Sequence, residues 1–203
     1  MTGSFIISAD LAQVNDYTAI TIIEGFAKNT GAEFHLRHIE RPERGTTYPK
    51  IVDRIKELAE SEPLKKSRSR ITVVIDITGV GRPVWDLLKK ANIPAMLKGI
   101  TITGGNTVTE ASNIYSVPKR DLISSLQVAF QNGQIKIPRD LPEADTLIKE
   151  LTNFKVKINI NGHDQYEAWR EGIHDDIVLS AAMGVWLASK NTRTLAWIES
   201  LIT

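Results

Sequence analysis

The chain has 203 residues, 42% of them hydrophobic and 24% charged, which suits one domain with a substantial buried core. A net charge of +1 gives no global field to draw the protein onto nucleic acid, so any grip on a polyanion has to come from local patches. The lack of cysteine excludes disulfides, thiolate zinc sites and cysteine nucleophiles. Asp10 interrupts the N-terminus too early for a signal peptide, and the most apolar C-terminal run, Ile177 to Ala188, is too short to span a bilayer, so a soluble intracellular protein is expected.

Phe5 to Ala9, Ala19 to Ile23 and Glu33 to Ile39 are rich in β-branched and aromatic residues and read as strands. Short polar turns separate them, which favours an antiparallel meander. From Tyr48 the period changes: Ile51, Ile55 and Leu58 are spaced for a helix. The basic link Lys65 to Arg70 leads into a buried strand, Ile71 to Ile75. Gly79 and Gly81 then turn the chain into an amphipathic helix, Val84 to Ala91, and Ile93 to Ile102 gives another strand. Thr103 to Glu110 reads as an irregular loop. Pro118-Lys119 opens a helix with Leu122, Ile123, Leu126 and Phe130 on one face. Gln134 to Pro138 is a short edge strand ended by proline, and Leu141 to Leu151 looks helical. Phe154 to Ile160 and Gln165 to Trp169, joined through Asn161-Gly162, read as a β-hairpin with a type I′ turn. An apolar helix, 175–189, and a short amphipathic tail follow. A three-stranded meander, strand–helix–strand units and a late helix describe an α/β sheet of mixed direction in a single domain.

Two strands end in a carboxylate. Asp10 closes the first and fits a turn residue bonding its own backbone as well as it fits a ligand. Asp76 ends a fully buried strand, Val73 to Ile75, where an acid costs desolvation unless a cation sits there. Gly79 and Gly81 after it permit close backbone approach. A third acidic position, Asp175-Asp176, opens the apolar helix. Asp175 suits an N-cap, which leaves Asp176 as the better ligand candidate. Ser180, Ala181, Ala182 and Gly184 are small enough to let that helix lie against a sheet and bring its first turn to the strand tips. Asp16 would add a further ligand or cap a turn. Oxygen-only ligands at strand tips select hard cations, Mg²⁺ or Mn²⁺, over zinc. His35 and His38 lie three apart on a strand, point to opposite faces and do not form a chelating pair; a structural role is expected for His174. There is no G-x-x-x-x-G-K-[ST] phosphate loop and no G-x-S-x-G elbow, and the third glycine of a dinucleotide fingerprint is missing after Gly81.

Taken together, Asp10 to Ile20 (DLAQVNDYTAI), Val74 to Gly81 (VIDITGVG), Tyr115 to Ile123 (YSVPKRDLI) and Gly172 to Ala182 (GIHDDIVLSAA) resemble the nuclease domain of phage large terminase subunits, in the right order over essentially the whole chain. The resemblance implies an RNase H-like fold: a mixed five-stranded sheet, its first three strands antiparallel, with helices on both faces, here with the hairpin inserted before the last helix. It implies a metal-dependent endonuclease that cuts double-stranded DNA during viral genome packaging with two Mg²⁺ or Mn²⁺ ions. The metal ligands would fall on Asp10, Asp76 and Asp176, with Asp175 adjacent and Asp16 at an often acidic position. Some relatives carry a later acid on the last helix; Ser180 stands there in this chain, so the Asp175-Asp176 pair has to serve. Lys119, Arg120, Lys155 and Lys157 would grip phosphates. A full terminase also has a packaging ATPase domain, which this chain lacks, and works with a small subunit and the portal of a procapsid in the cytoplasm of the infected cell. The competing readings are a resolvase-like nuclease of the same fold, an actin- or sugar-kinase-like ATP-binding half, and a non-catalytic DNA- or capsid-docking module. The kinase-like reading needs glycine and a hydroxyl after the first acid, where Leu11-Ala12 stand.

Overall fold

The computed structural model describes residues 3–12, 17–28, 31–66, 70–79, 81–161 and 175–200, with 154–161 and 192–200 as backbone only. The meander forms as the sequence suggests: β1 (Ser4–Asp10), β2 (Ala19–Lys28) and β3 (Gly31–Glu40) pair antiparallel in turn. Helices α1 (Tyr48–Ala59) and α2 (Glu62–Lys66) lead to β4 (Ile71–Asp76), which pairs parallel with β1. Then come α3 (Gly81–Lys90), β5 (Met96–Thr103), β6 (Thr109–Ala111), β7 (Ile114–Pro118) and α4 (Lys119–Gln131). The chain continues through β8 (Ile135–Lys136) and α5 (Ala144–Asn161), and α6 (Asp176–Ser200) is the last described element.

The eight strands among the described residues lie in one sheet, ordered β6-β7-β5-β4-β1-β2-β3-β8. The expected five-stranded core is its middle, β5-β4-β1-β2-β3, and three short strands widen it. Alternation along β1 sends successive residues to opposite faces. Ile6 enters a core with Ile23, Val74, Leu122, Leu126 and the apolar face of α6. Ile7 enters another with Ile22, Val73, Ile55, Val84 and Leu88. Helices therefore cover both faces, which is why β1 and β4 carry near-continuous apolar runs.

Two expectations are corrected. The stretch Phe154 to Ile160 is not a strand but the second half of α5; the other half of the expected hairpin, Gln165 to Trp169, lies outside the described residues. Alternating apolar residues suggested period two, yet no glycine or proline interrupts Ala144 to Asn161, and extending an existing helix costs far less than starting one. A hairpin does exist elsewhere: β6 and β7 are joined by Ser112 and Asn113, both with positive φ (47° and 69°), in the conformation of a type I′ turn. The region Thr103 to Glu110, expected as loop, thus ends in a strand.

Candidate metal centre

Register and alternation place the first two acids. Strands β1 and β4 are parallel neighbours with Ser8 opposite Val74 and Ala9 opposite Ile75. One step further, the same register sets Asp10 beside Asp76 at the carboxyl ends of both strands. Asp10 shares a face with Ile6 and Ser8, and Asp76 shares one with Val74, so both acids belong to the face that α6 covers.

Helix α6 brings the third position. Its Ser180 hydroxyl donates to the Ser8 carbonyl at 2.8 Å and lies 2.9 Å from the Thr21 hydroxyl, which is itself 2.8 Å from that of Ser8. All three residues are fully buried. One turn on, Gly184 sits so close to the sheet that an added Cβ would stand 2.8 Å from both Ser8 Oγ and Ile23 Cγ1. Another turn on, the Ala188 side chain meets Gly25. The helix therefore runs antiparallel to β1, first turn over the tip of that strand. Asp176 precedes Ser180 by four residues, about 6 Å of helix, and Asp10 follows Ser8 by two, about 6.6 Å of strand. The small-residue stripe expected to seat this helix is the device that carries Asp175 and Asp176 to Asp10.

The electrostatics agree. The Asp10 carboxyl is held well above the usual carboxylate range, first by burial and then by the charges of Asp76, Asp176 and Asp175, while Lys119 opposes the rise. Asp76 is also raised, chiefly by burial; the Thr78 hydroxyl, the Thr78 amide, which donates to Asp76 Oδ1 at 2.7 Å, and the Lys119 charge pull the other way. Gly81 closes the turn after Asp76: a Cβ there would fall 1.9 Å from the Asp76 carbonyl oxygen. Asp76 thus accepts a turn amide and belongs to the charged cluster at once.

Lys119, expected as a phosphate grip, reaches into the cluster. Its Nζ lies 3.3 Å from Asp175 Oδ2, with both side chains 17% exposed. It stands at the start of α4, just past the tip of β7, which continues the row of parallel strand ends from β4 and β5. Arg120 faces outward and meets Asp121 at 3.4 Å. The backbone of Lys155 and Lys157 lies on α5, with their side chains outside the described residues, as are Asp16 and His174 altogether. His35 and His38 are taken up by Glu33 and Glu40, at 2.7 and 2.9 Å. The expectation that they point to opposite faces is corrected: a bulge in the pairing at Ile22/Ile23 leaves Arg37 unpaired and puts both histidines on one face of β3.

Two residues not expected from the sequence, Glu150 and Arg41, complete the site. Glu150, on α5, is 6% exposed and accepts the Ile177 and Val178 amides at 3.1 and 3.2 Å. Arg41, just past β3, places its guanidinium 3.6 Å from Asp176 Oδ2 and 3.9 Å from Glu150 Oε1, and stacks on the Tyr17 ring at 3.9 Å. Burial, together with the nearby Asp176 and Asp175 charges, pushes the Glu150 carboxyl up to about 7, against the Val178 amide and Arg41. A carboxylate between Leu147 and Leu151 on an otherwise apolar helix face was the signal for Glu150. The N-cap expectation for Asp175 is corrected in part. Its carbonyl accepts the Leu179 amide as an N-cap's does, but the side-chain acceptor for the first-turn amides is Glu150.

Among the described residues, no three acids or histidines close to the spacing of a ready-made metal cage. What fits a hard divalent cation is the donor chemistry and the charge: Asp76, Asp175 and Asp176 all lie in electrostatic reach of Asp10, as does Lys119.

A sheet of this order, with acids at the tips of β1 and β4 and on the helix crossing them, defines an RNase H-like fold of the nuclease kind. Residues 7–184 match the family model described as the terminase RNaseH-like domain, and the chain belongs to that family. The large terminase subunits of Thermus virus P23-45 and Thermus phage G20c are 28% and 29% identical to it over 179 residues, 88% of this chain. The chain spans 30% of the length of each. Among solved structures, the large terminase nuclease of phage G20c superposes with a TM-score of 0.54 at 23% identity, covering 90% of this chain and 81% of that one. The human cytomegalovirus terminase nuclease domain, soaked with Mn, gives 0.58 at 11% identity, covering 92% and 84%. No helix among the described residues is long and apolar enough to cross a membrane.

Proposed function

We propose that the chain is a single metal-dependent nuclease domain that hydrolyses phosphodiester bonds of double-stranded DNA during viral genome packaging. The observation that carries the reading is the convergence of Asp10, Asp76 and the Asp175-Asp176 pair at one end of the sheet, close enough for their charges to raise the Asp10 carboxyl. Excess negative charge at a strand tip is unfavourable in the protein alone and favourable once a cation neutralises it. Two Mg²⁺ or Mn²⁺ ions held by Asp10, Asp76 and Asp176, with Asp175 beside them and Asp16 as a further candidate, would supply an activated water and stabilise the leaving 3′ oxygen. The Mn-soaked cytomegalovirus domain supports that choice of cation.

The chain's own groups do the rest. Asp10, between the other acids, is the shared ligand. Asp76 is aimed by the Thr78 amide and the Gly81 turn. Lys119 lowers the cost of ionising Asp10 and Asp76 and would meet a phosphate oxygen of bound DNA. Arg120 on the rim, with Lys155 and Lys157, contacts the DNA backbone, which makes binding salt-sensitive and weakly sequence-dependent. In the full protein the partners would be a packaging ATPase domain, a small terminase subunit and the portal of a procapsid, in the cytoplasm of an infected cell.

The test is cleavage of supercoiled plasmid with Mg²⁺ or Mn²⁺ and with EDTA. Asp10→Asn, Asp76→Asn and Asp176→Asn should each abolish metal-dependent cutting while the fold survives, and full activity in all three would overturn the assignment. Linear duplex should be cut in preference to a four-way junction or an RNA–DNA hybrid; the reverse order would move the reading to a resolvase or an RNase H activity.

A further inference from the structure

We infer that Glu150 is a positioning residue for the metal site: it takes over the capping of α6 and so releases the Asp175-Asp176 pair to face Asp10. The inference rests on the reading of Asp176 as a metal ligand.

A helix beginning at an Asp-Asp pair would ordinarily use its N-cap carboxylate on its own first-turn amides. Here the Ile177 and Val178 amides point to Glu150 Oε2, at 3.1 and 3.2 Å, from a different helix. These are the N2 and N3 positions counted from Asp175, the two amides that an N-cap side chain reaches. Asp175 turns to Lys119 at 3.3 Å instead, and Asp176 lies in electrostatic reach of Asp10. Burying a glutamate for this duty is costly unless its oxygens are occupied. Two backbone amides take one oxygen, and Arg41, 3.9 Å from the other, supplies the counter-charge. Arg41 also stands 3.6 Å from Asp176 Oδ2, so one guanidinium ties the cap to the acid being placed. Glu150 thus fixes the rotation and depth of the first turn of α6 from behind, without joining the acids in front.

The role is one of hydrogen-bond acceptance at a set distance, and charge is secondary to it. Three variants of the 203-residue chain separate the two: Glu150→Gln keeps an acceptor oxygen in place, Glu150→Asp keeps the charge but withdraws it by one methylene, and Glu150→Ala removes both. Mn²⁺ affinity is read from the free-ion EPR signal, and kcat and KM from plasmid cleavage. Glu150→Asp and Glu150→Ala should weaken Mn²⁺ binding by about 10- to 100-fold, as loss of a group that orients a metal ligand does, and lower kcat with little change in KM. Glu150→Gln should restore both close to wild type. Should Glu150→Ala fail to fold, the contrast of Gln with Asp carries the test. Wild-type Mn²⁺ binding in Glu150→Asp, or a loss in Glu150→Gln equal to that in Glu150→Asp, would overturn the inference. Asp10→Asn and Asp76→Asn serve as the reference: if they too bind Mn²⁺ like wild type, it is the metal-site reading that fails. If they lose it while Glu150→Asp does not, the positioning role alone falls.

Discussion

The Ser180 hydroxyl donates to the Ser8 carbonyl at 2.8 Å, across 172 residues of sequence, and pins the first turns of α6 to the strand that ends in Asp10. Removing it by Ser180→Ala leaves the buried Ser8 carbonyl short of a donor and the buried Thr21 hydroxyl short of an acceptor, which should cost about 1–3 kcal/mol. Gly184→Val is the sharper test. Even a Cβ there meets Ser8 Oγ and Ile23 at 2.8 Å, so a branched side chain has to lift the helix from the sheet. We expect cleavage to fall steeply in folded Gly184→Val protein, alongside a stability loss of about 1–3 kcal/mol measured by urea unfolding.

A similar argument separates two neighbouring glycines. At Gly81 a Cβ would overlap the Asp76 carbonyl oxygen at 1.9 Å, whereas at Gly79 it would meet nothing and only the positive φ of 58° resists. Gly79→Ala should cost roughly 1–2 kcal/mol, the penalty for a left-handed alanine, and keep Mn²⁺-dependent cleavage. Gly81→Ala should cost more and lose cleavage as well, because the strand end that aims Asp76 has to move. Parallel melting and plasmid assays of the two variants decide it.

These contacts show what a sequence makes legible. Asp10, Asp76 and the Asp175-Asp176 pair stood out because each sits at the end of a regular apolar pattern, and strand alternation is enough to put the first two on one face. Gly81 was legible too, since a glycine just after a buried acid has few other purposes. Arg41 and Glu150 were not. They act through tertiary neighbours, Asp176 and the α6 amides, that nothing local predicts, and the only trace was one carboxylate beside Leu147 and Leu151. The β6–β7 hairpin hid because Ser112-Asn113 is a weaker type I′ signal than Asn-Gly. Asn161, the first residue of the stronger Asn-Gly signal, is the last residue of α5.

Stability without metal should depend on pH in a definite direction. Asp10 and Asp76 are raised and Glu150 is pushed up to about 7, so the folded state holds protons that the unfolded chain releases near pH 4 to 4.5. Their contribution is fully present below that range and is lost as pH rises toward 7. For Glu150 alone the loss is about 3 kcal/mol. Glu40 works in the opposite sense: His38 and Arg54 hold it down at about 2, so its contribution is lost as pH falls from about 4.5 toward that value. Calorimetry in EDTA should find the highest melting temperature near pH 5 and a decline of several degrees by pH 8. Added Mn²⁺ should reverse the decline at pH 8, and Glu150→Gln should reduce it. A melting temperature that is flat from pH 5 to 8 in EDTA would contradict the cluster.

Lys119 offers a separate handle. Its charge lowers the carboxyls of Asp10 and Asp76, so Lys119→Met should raise both. Cleavage that needs these acids ionised should then begin at a higher pH than in wild type, with the rising limb displaced upward in a pH–rate profile. A role confined to gripping DNA predicts a higher KM and an unmoved profile.

The tie between Ser8 and Ser180 also has a meaning for the order of folding. Acids from the first strand and from the last described helix meet only when that helix docks, and contacts so distant in sequence form late. Chains emerge from the ribosome N-terminus first, so the sheet can assemble while the acidic end is still missing its third wall. Until α6 arrives, Asp10 and Asp76 are merely two acids on a strand edge. The nascent domain therefore has no cutting centre, and on the proposed function its activity begins only once the whole fold has closed.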